Sequence, residues 1–154
     1  EGGYYRETYR SALRLPAGLA PVFPQDKAAA TAIYYLLTPD TFSALHRLPA
    51  DEIFHFYLGD PVEMLVLYPP GNDPEGRLTV LGPDVLAGQC PQVVVPAGVW
   101  QGSALRPGGR VALLGTTVAP GFDFADYEAG DRRQLTAGYP AFAGWIDRLS
   151  PRRH

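Results

Sequence analysis

With 154 residues, 46% of them hydrophobic and 19% charged, the chain can bury one sizeable core and is far from the composition of a disordered segment. A formal charge of −3 argues against nucleic acid as the main partner, because phosphate binding needs a dense basic surface and the terminal Arg152-Arg153 pair does not supply one. No apolar run reaches the roughly 20 residues of a membrane helix, and no signal-peptide pattern follows Glu1. The expectation is a single domain over residues 1–154 of a soluble, cytoplasmic protein; the start at Glu1 instead of a methionine leaves room for a trimmed upstream segment. The lone Cys90 forms no internal disulfide, which suits a reducing compartment, and beside Pro91 it reads as a structural thiol.

Seventeen glycines and sixteen prolines among many Val, Tyr and Phe predict short strands joined by tight turns. The first strand is Tyr4 to Arg10, with Arg6 and Glu7 on opposite faces; charges in so aromatic a strand fit either an exposed edge or a ligand contact. Pro16, Pro21 and Pro24 exclude a helix between Leu13 and Lys27, leaving an ordered loop or a flap. A strand from about Thr31 ends before Pro39, and Phe42 to Arg47 is the next, with Phe42, Ala44 and His46 on one face.

The stretch Asp51 to Gly59 carries most of the information. Period-two spacing puts Glu52, Phe54, Phe56 and Leu58 on one face and Ile53, His55 and Tyr57 on the other. Both faces are largely apolar, so the strand needs cover on both sides, and yet it holds a carboxylate and an imidazole that are costly to bury alone. The short Gly59-Asp60-Pro61 link reads as a hairpin into Val62 to Tyr68. Strands follow at Arg77 to Leu81, Gln92 to Pro96, Val99 to Leu105 and Arg110 to Val118. Only Pro140 to Leu149 reads as helix, with Phe142, Trp145, Ile146 and Leu149 on the face that packs against the body. About nine short strands separated by frequent turn signals predict a sandwich or barrel.

Four blocks carry a family resemblance: Glu1-Gly-Gly-Tyr-Tyr-Arg-Glu-Thr-Tyr-Arg10, His46 with Asp51-Glu-Ile-Phe-His-Phe-Tyr-Leu-Gly-Asp60, Pro96-Ala-Gly-Val-Trp-Gln101, and Val118-Ala-Pro-Gly-Phe-Asp-Phe124. In this order they resemble the DUF985 group of the cupin superfamily. The resemblance implies an all-β, antiparallel jelly-roll barrel (a double-stranded β-helix) related to sugar-nucleotide epimerases that act on deoxyhexoses, and a homodimer. It transfers the metal motifs only in part. His46 stands near one histidine position, Glu52 at the glutamate and Gly59 at the closing glycine, but a further histidine is missing and Gln101 occupies the place of another. Glutamine is a poor transition-metal ligand, so no cofactor is expected beyond a weakly held divalent ion at His46 and Glu52.

His46 and Glu52 are candidates for an acid/base pair acting on a bound ligand, and equally for a buried structural pair. His55 and Tyr57 compete with Glu52 for the inward face, and without a bulge or a dimer partner the two sets cannot both line one barrel. An epimerase needs a base and a tyrosine on opposite sides of the substrate; His46 or His55 with Tyr57, Tyr34 or Tyr35 could be that pair. Arg6 and Glu7 are candidates for a charged or hydroxyl-rich ligand, and Trp100 and Gln101 for an aromatic platform and an amide. The acidic residues Asp123, Asp126, Glu128 and Asp131 read as solvated loop charges. The functional expectation is a small polar metabolite bound in the barrel, with isomerase or epimerase chemistry on a carbohydrate derivative as its finer form. A non-catalytic binding or sensing protein is the alternative, and a metal-dependent enzyme comes last.

Overall fold

A computed structural model describes residues 2–151, so Glu1 and the Arg152-Arg153 pair lie outside the described residues. The strands are β1 (Tyr4–Arg10), β2 (Arg14–Leu15), β3 (Lys27–Ala28), β4 (Thr31–Leu37), β5 (Phe42–Arg47) and β6 (Asp51–Gly59). They continue with β7 (Val62–Leu67), β8 (Gly76–Leu81), β9 (Gln92–Val95), β10 (Trp100–Leu105), β11 (Ala112–Ala119) and β12 (Glu128–Ala129). Two five-stranded sheets form, one in the order β1-β4-β11-β6-β9 and the other in the order β12-β5-β10-β7-β8, with antiparallel ladders throughout. This is the jelly roll that the resemblance implied.

Alternation builds the core. From the first sheet Phe54, Leu114 and Tyr35 point inward, and from the second Met64, Val66 and Leu105 meet them, all but fully buried. The odd-numbered residues of β7 point the other way, so Leu65 and Leu67 lie on the outer face of the second sheet. There they are covered by α2 (Ala143–Arg148), whose Ile146 is completely buried, with Leu149, Phe142 and Trp145 beside it. Fully burying a side chain of this size is worth about 1.5–3 kcal/mol, so the C-terminal segment is held by its apolar face as its spacing predicts. A second helix, α1 (Arg132–Gly138), precedes it and was not expected. Asp131 starts it by accepting from the Gln134 amide at 2.9 Å, an N-cap that the acidic loop residues concealed.

Three further features depart from the sequence reading. The Gly59-Asp60-Pro61 link is no hairpin, because β6 lies in the first sheet and β7 in the second. Gly59 turns the corner at φ +101°, where an added Cβ would come within 2.3 Å of the Val111 carbonyl oxygen. The Asp60 carboxylate then accepts from the Arg110 amide at 2.7 Å and the Val111 amide at 3.4 Å. Secondly, the β6–β11 register shifts at Tyr57, so that Leu58 pairs with Leu113 on the outer face instead of following Phe56 inward. Thirdly, the β5–β10 register shifts opposite Gly102; Phe42 joins Ala104 in the outer cluster while His46 faces inward. The proline-rich segment after β1 is an ordered loop closed by the β2–β3 pair, with Arg14 bound to Asp26 at 2.7 Å.

Hydrogen bonds from the Arg110 and Val111 amides hold the Asp60 carboxyl below its ordinary pKa. A depressed folded-state value means stabilisation that is present above the unfolded pKa and lost as pH falls through the folded one. Asp60→Asn should therefore lower the thermal midpoint at pH 7, and the gap to the parent protein should close as the pH falls below about 4. Thermal melts of both proteins across that range check it.

Candidate functional site

At one end of the sandwich the inward positions are short or polar, and the two sheets do not fill the space between them. Thr31 on β4 and Thr116 on β11 stand where the other end of these strands carries Tyr35, Leu37 and Leu114. The result is a cavity of about 400 Å³, open on one side. Its inner wall includes His46, Glu52, Thr116, Ile33, Leu48 and Val118. Its mouth is built by Tyr5, Glu7 and Arg10 of β1 and by Phe122, Asp123 and Phe124 after β11.

His46 is 1% exposed and stacks on Tyr127, with ring centroids 5.0 Å apart. Its Nδ1 lies 2.7 Å from the Ala44 carbonyl oxygen, which can only accept, so Nδ1 carries the proton. In the neutral ring Nε2 is then the lone-pair nitrogen, the form that accepts a proton or a hydrogen bond. Glu52 enters from the opposite sheet, is 6% exposed, and accepts a short hydrogen bond from Nε2 of Gln101. Gln101 is the cross-strand neighbour of His46 on β10, so one amide ties the two sheets together at the cavity.

Arg10 reaches across the mouth. It donates to Glu7 at 3.0 Å, to the Phe122 carbonyl oxygen at 2.9 Å and to Asp123 at 3.4 Å. Behind Asp123 lies Lys27, nearly buried, whose ammonium is bound by Asp123 at 2.6 Å and also by Asp126. Burial pushes the Asp123 carboxyl up, but the Lys27 hydrogen bond and the charges of Lys27, Arg10 and Arg14 outweigh it and hold the group below its ordinary pKa. The acidic run is more than a set of solvated charges, although Asp123 and Glu128 stay half-exposed: Asp123 and Asp126 anchor Lys27, Glu128 pairs with Arg47, and Asp131 caps α1. The Arg47 guanidinium is pushed to a higher pKa chiefly by its hydrogen bond to Glu128.

Of the candidates from sequence, the structure brings His46, Glu52 and Glu7 to one cavity and separates the others. His55 and Tyr57 lie on the outer face of the first sheet. There His55 is within 3.3 Å of the Thr117 hydroxyl and stacks with Tyr57, whose hydroxyl lies above Gly115. Arg6 pairs across from Tyr34 on that same outer face. Tyr34 packs edge-on against Tyr57 there, while the Tyr35 hydroxyl donates to the Gly2 carbonyl oxygen at 2.6 Å. Trp100 belongs to the cluster under α2, with the Arg47 guanidinium 4.5 Å above its ring, because β10 puts Trp100 and Gln101 on opposite faces. Gln101 holds Glu52 from behind and does not line the cavity. Tyr5, Arg10, Phe124 and Tyr127 are among the cavity residues that the sequence reading missed. Tyr5, Arg10 and Phe124 lie within quoted blocks, and Tyr5 also shares the parity of Glu7, whereas Tyr127 had neither signal.

The partial metal motif can be tested on this donor set. Of the motif positions, the imidazole of His46 and the carboxyl of Glu52 reach the cavity, and the third is the Gln101 amide, which is committed to Glu52. Among the described residues no three His, Cys, Asp or Glu side chains group around a common point. Such a set does not fit a tightly held transition ion, which takes three or four strong ligands.

A β-sandwich whose inner faces part around an open-ended cavity is the architecture of a cupin. The chain matches the family described as Cupin superfamily (DUF985) over residues 1–130 and belongs to it. It is 32% identical over 136 residues to an uncharacterised protein of Saccharomyces cerevisiae, covering 82% of this chain and 66% of that one. The chain thus spans slightly less than two thirds of the yeast relative's length. A hypothetical protein from Leishmania major has the same fold with a TM-score of 0.84 and 32% identity, covering 99% of this chain and 91% of its own. A dTDP sugar isomerase from Desulfovibrio desulfuricans shares the fold at a TM-score of 0.56 and 18% identity, over 85% of this chain and 83% of its own. Among the described residues no helix is long and apolar enough to cross a membrane.

Removing the Lys27 ammonium would leave Asp126 and Asp123 facing each other without their shared cation. Lys27→Met should cost about 2 kcal/mol in urea unfolding, below the roughly 3–5 of a wholly buried pair because Asp123 is partly solvated. Urea titration at pH 7 of the variant against the parent protein measures it.

Proposed function

We propose that the cavity binds a small polar metabolite and that His46 and Glu52 move a proton on it, with a carbohydrate derivative as the substrate and isomerisation or epimerisation as the reaction. The observation that carries this reading is the convergence of a buried imidazole and a buried carboxylate, one from each sheet, on an open cavity. A volume of about 400 Å³ lies within the range of small-molecule sites. Isomerisation beside a carbonyl requires a base to remove the α-proton and an acid to deliver one elsewhere or on the other face. His46 Nε2 is the base in this scheme. The proton is returned by a group across the cavity; Tyr5 on β1, in the sheet opposite His46, fills that role in this scheme, instead of Tyr34, Tyr35 or Tyr57, whereas Tyr127 stacks on the base itself. The fold shared with a sugar isomerase agrees with this chemistry without supplying any residue.

A screen of neutral and charged metabolites by thermal shift tests the reading, since a ligand that binds the folded state must raise the melting temperature. We expect stabilised wild-type protein, and Glu52→Gln and His46→Asn variants that melt normally alone but lose most of the ligand shift. Turnover of the hit marks an enzyme, and stabilisation without turnover marks a binding or sensing protein. A ligand shift abolished by dialysis against EDTA would instead favour the metal-dependent alternative. Variants that keep the full shift would sink the assignment of the pair.

The outer face of the first sheet supports a homodimer as the second part of the proposal. Tyr4, Tyr34, Tyr57, Leu58 and Val94 are each about half exposed there, on four strands of one continuous sheet. Exposed apolar faces of this extent are usually covered, and a second copy of the chain would bury His55 as well. Sedimentation at micromolar concentration should give twice the 16.7 kDa of one chain, and Tyr57→Glu should return the monomer. A parent protein that sediments as a single chain would remove the dimer.

A further inference from the structure

The charges on the wall do not match the substrate of the fold neighbour. A nucleotide-linked sugar brings a pyrophosphate, and anion sites of that kind present unengaged guanidinium, ammonium or amide donors. Among the described residues three carboxyl side chains, Glu7, Glu52 and Asp123, line the cavity, against the one guanidinium of Arg10. That guanidinium is already held by Glu7, by Asp123 and by the Phe122 carbonyl oxygen. The nearby ammonium of Lys27 is not on the cavity wall and is bound by two aspartates. An incoming phosphate would have to displace carboxylates from both cations.

The rim points the same way. Tyr5 and Phe124 meet edge to face at 6.5 Å, Phe122 packs against Phe124 at 5.3 Å, and Phe124 is 74% exposed. Aromatic faces carry a negative quadrupole and attract cations within about 6 Å of the ring. Carboxylates behind an aromatic mouth therefore place two kinds of negative potential along one entry path. Resting on the reading of this cavity as a metabolite site, we propose that it selects a polar molecule bearing a protonated amine, such as an amino sugar, and rejects phosphate-bearing relatives of the same skeleton.

The test uses three probes of one skeleton and different charge, namely glucosamine, glucose and glucose 6-phosphate, titrated calorimetrically into the full chain at pH 7. Glucosamine should bind about tenfold tighter than glucose, glucose 6-phosphate should bind weaker than either, and the amine preference should shrink at high salt. Glu7 lies on an exposed edge strand, so Glu7→Gln should fold normally. It also frees Arg10 from its closest carboxylate, and should shift the amine-to-phosphate affinity ratio about tenfold toward phosphate. Glucose 6-phosphate binding as well as glucosamine, a ratio unmoved by Glu7→Gln, or binding of none of the three overturns the charge selection. A hit from the wider metabolite screen that carries no amine would leave the cavity's role standing and remove only this inference.

Discussion

A carboxyl group between two β-sheets needs a hydrogen-bond partner, and in this molecule one of its partners crosses the sandwich. Glu52 comes from the first sheet and Gln101 from the second, and their hydrogen bond forms where the inner faces begin to part. A buried acceptor left without a donor costs about 1–3 kcal/mol, more when charged. The spacing of the sheets at this level is therefore fixed by a polar contact, whereas further along it is fixed by Phe54, Met64, Leu105 and Leu114. The cavity starts at the boundary between these two regimes. His46, the strand neighbour of Gln101, inherits its position from the same contact.

Outside that boundary the mouth is organised by charge. Arg10 joins β1 to the segment after β11, and Lys27 joins the end of the proline-rich loop to that same segment. Three pieces of chain far apart in sequence thus meet around one aspartate, Asp123. The cations are consumed in holding the rim together, which leaves the character of the opening to carboxylates and aromatic rings.

Much of the fold was legible because strands write their burial with period two. The strands at Tyr4, Thr31, Phe42 and Asp51 begin and end where turn residues and alternation place them. The site was legible in part through His46 and Glu52, but alternation left open whether the face of Glu52, Phe54 and Phe56 or that of His55 and Tyr57 turned inward, a choice made by the pairing of β6 with β11 and β9. It was not legible where regularity fails. Two register shifts moved Leu58 and Phe42 to faces that strict alternation denies them, and such shifts depend on pairing with β11 and β10, distant in sequence. Asp60 illustrates the same limit: a short link reads as a hairpin until the amides of Arg110 and Val111 are known to wait for its carboxylate. Arg10 and Tyr127 became cavity residues only through contacts that no local pattern encodes.

The strand that forms one side of the mouth is also the most exposed strand of its length. All seven residues of β1 are exposed, it pairs only with β4, and its beginning is fastened by the Tyr35 hydroxyl on the Gly2 carbonyl oxygen. An edge strand with one partner opens at lower free energy than the strands inside the sheet. Tyr5, Glu7 and Arg10 are therefore mounted on the part of the barrel that frays first. Occupancy of the cavity and order of this strand become a single equilibrium: whatever fills the site suppresses the fraying, and whatever stiffens the strand raises affinity without touching the ligand.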